Sequence, residues 1–172
     1  MDEESATGTK AGLLRRLAAL LYDLLLVIAL AFVTSFAWLP LTGGEAILAS
    51  TQGLVGHLYH AVVVLALFAY FGWCWTRGGQ TLGMKAWRIR LESTENRPLN
   101  WADALVRFSL GAAMFWMAAV GVWYLAKSDG LLAVSGAAAM LLPLAASFAW
   151  IPFDSAGRSL LDLAGRTRVV RC

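Results

Sequence analysis

Charge is scarce in this sequence. Only 15% of its 172 residues are Asp, Glu, Lys or Arg, against an apolar share of 59% and a mean hydropathy of +0.65. A water-soluble domain of this length could not hide so much apolar surface, which excludes the ordinary soluble classes. Cysteine is almost missing as well. Cys74 and Cys172 have no paired spacing that points to metal or redox chemistry, and both are read as free thiols. Histidine is equally rare: His57 and His60 stand three apart with no third ligand nearby, so they are read as interfacial residues and no metal is expected. No Ser-Lys, His-Asp or metal-ligand constellation falls inside an apolar segment, so the chain is read as a non-enzyme without a cofactor. Gly78 and Gly83 have the spacing that opens a phosphate-binding loop, but Met84 stands where its lysine belongs, and a nucleotide site is excluded too.

What fills the sequence is a set of four apolar blocks: 17–39, interrupted only by Asp23, then 58–75, 108–126 and 130–153. A hydrocarbon core of ~30 Å demands about 20 such residues from a helix rising ~1.5 Å per residue. The fold expected is therefore an all-α membrane protein, one domain over 1–172, with four transmembrane helices at about 14–39, 57–76, 102–126 and 130–152. The first block is too long for a secretory signal, carries Asp23, and lacks a small-x-small cleavage site.

Four spans divide the loops into two sets, and of the 14 Lys and Arg residues all but Lys127 fall in one of them. The positive-inside rule places that set, with both termini, in the cytoplasm. Anionic lipid headgroups are the expected counterions; nucleic acid is not expected, because no stacking platform accompanies the charge. Trp73, Trp75, Trp101 and Trp150 fall at inner ends and Trp38, Tyr59, Trp123 and Tyr124 at outer ends, as interfacial belts should, while Trp116 is mid-span and expected to pack on a neighbour.

From Lys85 to Glu92 the inner loop alternates, with Lys85, Trp87, Ile89 and Leu91 on one side and Ala86, Arg88, Arg90 and Glu92 on the other. That period of two reads as a short strand paired with Thr167-Arg168-Val169-Val170, or else as an amphipathic interfacial segment. The outer loop, 42–56, is Gly-rich with Glu45 as its one charge, and Lys127-Ser128-Asp129 turns the last two spans into a hairpin. Small residues from Ala133 to Ala139 allow close helix approach in the fourth span, and Pro143 is expected to kink it.

Three segments carry a resemblance. Arg16-Leu-Ala-Ala-Leu-Leu-Tyr-Asp23 opens the first span, Gly79-Gln80-Thr81-Leu82-Gly83-Met84-Lys85 follows the second, and Leu161-Asp162-Leu-Ala-Gly165-Arg-Thr167-Arg-Val169-Val170 comes near residue 172. Together they resemble the RDD family of bacterial membrane proteins, whose named arginine and two aspartates match Arg16, Asp23 and Asp162. Members often have His before the last aspartate, where this chain has Leu161. The resemblance implies a multi-pass protein of the bacterial inner membrane, with ion or small-solute transport proposed for some members, and supplies no substrate.

Asp23 lies about two turns inside its block, where a charge costs roughly 2.5 to 3.5 kcal/mol on the insertion scale. Arg16 shares its helix face but sits ~10.5 Å lower. The sequence therefore predicts an Asp23–Arg107 pair between spans, and an Arg16–Asp162 pair at the membrane surface. Two readings of these four residues are open. Asp23 is a proton or cation site of a homo-oligomeric transporter, since four helices are few to enclose a path, or the set is a polar clasp in a non-transporting scaffold.

Overall fold

A computed structural model describes residues 10–42, 53–95, 97–127 and 130–172, with side chains omitted at 41, 42 and 131–133. Most of the Gly-rich outer loop with Glu45, and the turn residues 128 and 129, lie outside the described residues, as does the side chain of Ala133. The elements run α1 (Leu13–Trp38), a 3-10 turn (Leu39–Thr42), α2 (Leu54–Gly78), α3 (Leu82–Ala86), β1 (Ile89–Ser93), α4 (Trp101–Lys127), α5 (Leu131–Ala149), α6 (Leu160–Ala164) and β2 (Thr167–Arg171).

Helices α1, α2 and α4 are long and apolar enough to cross a membrane; only 11%, 6% and 17% of their most apolar stretches are buried inside the chain. Side chains such as Leu25, Phe32, Leu65 and Val122 point outward, an arrangement that hydrocarbon tolerates and water does not. Of the four expected spans, α5 is the shorter one, with 19 residues and Pro143 inside. Its small residues matter at one point: Gly121 of α4 lies so close to Ala137 that an added Cβ would come within 3.1 Å of the Ala137 carbonyl oxygen. Ala137 is completely buried by that approach. Trp116 does not pack inside as expected and is 72% exposed. It sits two positions from buried Ala118, about 200° around the helix and thus on the outward face.

Beneath the bundle lies a small cap. β1 and β2 pair antiparallel, with Ile89 opposite Arg171, Leu91 opposite Val169 and Ser93 opposite Thr167. The strand pairing read from the alternation is therefore present, and Ile89 and Leu91 are its buried side. It starts later than expected, because Thr81 caps a short helix by accepting from the Met84 N–H at 3.1 Å, which removes Lys85 and Ala86 from the strand. Ile89, Leu91 and Val169 form a core with Ala11 and Ala19 of the α1 segment, against which Trp75, Met84 and Leu99 pack. Lys10 bridges to Val170, so the start of the described chain also lies on the sheet.

The cap is a repeated unit. Thr81 caps α3, Arg88 turns at φ 52° and β1 follows; Ser159 caps α6, Arg166 turns at φ 49° and β2 follows. Each position in the second unit is 78 residues after its equivalent, and Leu91 pairs with its own equivalent, Val169, at the centre of the sheet. The two units are thus related by a local twofold.

Candidate functional site

The polar residues of the sequence motifs gather where helices meet cap. Asp162 is the first focus. It is the third residue of α6, fully buried, and its carboxylate accepts from Arg16 Nη1 at 2.6 Å, Arg107 Nη1 at 2.7 Å and the Ser159 N–H at 3.0 Å. Ser159 accepts in return from the Asp162 N–H, a reciprocal cap that fixes the side chain. Burial by itself would push the Asp162 carboxyl up; the Arg107 and Arg16 charges outweigh it and hold the carboxyl below its ordinary 3.8.

Arg16 does more than pair. Its Nη2 donates to the Gly157 carbonyl at 2.6 Å and its Nε to the Ala11 carbonyl at 3.2 Å. Arg107 also donates to Thr167 Oγ1 at 2.7 Å and lies over the Trp75 ring. One carboxylate and its two arginines thereby fasten α1, α4, α6 and β2 together.

Asp23 is the second focus, and here the expectation fails. Arg107 is spent on Asp162, and among the described residues no Lys or Arg lies within ion-pair distance of Asp23. Its carboxylate accepts instead from the Thr81 hydroxyl at 2.5 Å and the Gly83 N–H at 2.9 Å. Comparing depths along two straight helices could not anticipate this, because the Gly79–Gly83 loop folds back against α1. Gly79 turns it with φ 66°, and an added Cβ there would stand 2.6 Å from the Leu91 carbonyl oxygen. At Gly83 a Cβ would collide with the Ala19 carbonyl and stand 2.9 Å from the Asp23 carboxyl. Gln80 completes the loop by donating to the Ile89 carbonyl at 2.8 Å.

A cavity of about 110 Å³ joins the two foci, lined by Arg16, Asp23 and Arg107 together with Met114, Ser147 and Phe148. That volume has room for several waters. Elsewhere, His60 Nδ1 is bonded to the Gly56 carbonyl one turn back, and no group of three or more His, Cys, Asp or Glu among the described residues could hold a metal. Ser159 is not singled out in the sequence and Thr167 is read there only as a strand and motif residue, although Ser159-Leu-Leu-Asp162 has the spacing of a helix-capping pair.

A family model, the RDD family, matches residues 10–166, nearly the whole chain. The chain belongs to the RDD family. The match together with the apolar helices makes this RDD protein a membrane protein. No curated protein and no solved structure matches it.

Proposed function

We propose that this RDD protein is a multi-pass inner-membrane transporter of protons or small cations, working as a homo-oligomer with Asp23 as the exchange site. The observation that carries the reading is a buried carboxylate in an apolar span that meets two neutral donors and, among the described residues, no cation, at the wall of a cavity. Two neutral hydrogen bonds offset only part of the cost of a buried charge, so a proton or small cation has a place to bind. The reading takes α5 as the fourth span, puts the cap in the cytoplasm on the strength of the one-sided Lys and Arg distribution, and assigns no catalytic step.

A second reading has its own support. Asp162 is so fully engaged that it fits a structural clasp, and a protein built around it could be a scaffold rather than a transporter. Proton and cation flux into proteoliposomes holding wild type or Asp23→Asn separates the two. The transporter reading expects flux in wild type and its loss, at least tenfold, in a folded and equally oligomeric variant. Absence of flux in both across several cations would leave the scaffold.

A further inference from the structure

A second and larger cavity, of about 430 Å³, lies away from Asp23 between the end of α2, β1 and the 97–99 segment. Arg77, Arg90, Arg97 and Arg168 line it, with Glu92 as the one carboxylate among them. Part of this charge is already balanced. Arg97 donates to Asp103 at 2.6 Å and to Glu95 at 2.9 Å, and Glu92 accepts from Arg168 at 3.2 Å. The C-terminal end of α2 adds a partial negative charge of about 0.5. With Arg97 set aside, three guanidinium groups still exceed one carboxylate and that half charge. Arg77 lies over the Trp73 ring 4.3 Å from its centroid, which leaves its N–H groups without a carboxylate among the described ion pairs.

The indole Nε1–H of Trp75 and the Nε–H of Arg168 are covered by neighbouring protein atoms, so the donors open to the crevice are other N–H groups of its arginines. A cationic wall of this kind matches an anion with several acceptor oxygens.

We propose that this crevice binds a phosphate-bearing group. The planar guanidinium fork suits phosphate oxygens, and the volume lies in the range of small-molecule sites, so the phosphate carries a body such as a glycerol or sugar unit. The crevice opens beside the last turn of α2, where exposed Trp73 marks the membrane boundary, so a phospholipid headgroup and a soluble phosphate ester present the same chemistry to it. The site stands apart from Asp23 and does not depend on the transport reading.

The test uses the full chain, stripped of lipid in detergent and titrated separately with phosphatidylglycerol, followed by native mass spectrometry, and with inorganic pyrophosphate, followed by calorimetry. Saturable binding of the lipid alone assigns a headgroup; binding of pyrophosphate assigns a soluble phosphate compound. Either is expected to weaken about tenfold in Arg168→Gln and in Arg77→Gln, each of which removes a charge-assisted donor from the wall. Arg15→Gln on α1, outside the crevice, should leave binding unchanged. The proposal is overturned if neither probe binds wild type, or if Arg168→Gln and Arg77→Gln both bind as wild type does.

Discussion

In the α3–β1 unit the bundle supplies the acid and the cap supplies the donors: Asp23 reaches down from α1 to Thr81 and Gly83. In the α6–β2 unit the polarity is reversed, and Asp162 of the cap receives Arg16 from α1 and Arg107 from α4. The backbone is shared, down to the positive φ at Arg88 and Arg166, but Met84 occupies the place that Asp162 holds in the other copy. A repeated scaffold thus carries one ionic junction and one neutral junction. The ionic one is fixed by charge on both sides; the neutral one pairs its carboxylate with uncharged donors.

The contrast can be broken most severely at Asp162. Asp162→Asn strands two buried guanidinium groups, and a loss of about 3 to 5 kcal/mol is expected in detergent unfolding. The same carboxyl gives a pH signature. Its pKa is depressed when folded, so its contribution is complete above the ordinary 3.8 and is lost as pH falls below that value; a melting series through the acid range should show the decline, and Asp162→Asn should flatten it. At the neutral junction the largest effect is steric: Gly83→Ala places a Cβ against Ala19 and Asp23, for about 1 to 3 kcal/mol lost in the same unfolding assay.

The two caps allow a matched pair. Thr81→Val and Ser159→Ala each remove a cap, typically worth about 1 kcal/mol, but Thr81→Val also takes a donor from Asp23 and should cost more than a cap alone. Near-equal melting temperatures would show that the Thr81 hydroxyl adds nothing at Asp23. Asp23→Asn itself should change stability by no more than about 1 kcal/mol, since the amide keeps an acceptor for Gly83 and can reorient toward Thr81. A loss as large as that of Asp162→Asn would make the two junctions alike and favour the scaffold. The smallest effect belongs to Asp154, held down at about 2 by the adjacent Arg158 guanidinium. Its contribution is complete above pH 3.8 and disappears toward pH 2, and Arg158→Gln should raise the carboxyl part of the way toward its ordinary titration by NMR, because the Arg158 and Ala156 backbone N–H groups still donate to it.

Much of this was legible in the sequence because two periods are written clearly there. Uncharged runs marked α1, α2 and α4, and the alternation around Ile89 and Leu91 found the strand and its partner at Thr167–Val170. The Arg16–Asp162 pair followed from both being placed at one surface. The two five-residue helices were missed because they are too short for a 3.6-residue period to show, though each has a hydroxyl residue at its cap. Asp23 was assigned the wrong partner for a related reason: an acid seeks donors, and backbone N–H groups such as that of Gly83 have no letter in a sequence. The repeat was hidden by divergence in the half that matters, since Met84 and Asp162 share a position and no chemistry.

Arg16 stands 146 residues before Asp162, and Arg107 stands 55 before it. At about 5 to 20 residues per second, the ribosome makes Arg16 roughly 7 to 30 s ahead of the carboxylate that neutralises it. During that interval both arginines must be held by something else, and long cationic side chains near a helix end can reach lipid headgroups. The junction therefore closes only after residue 162 has been made. Until then the two guanidinium groups lack the carboxylate that joins them in the finished fold.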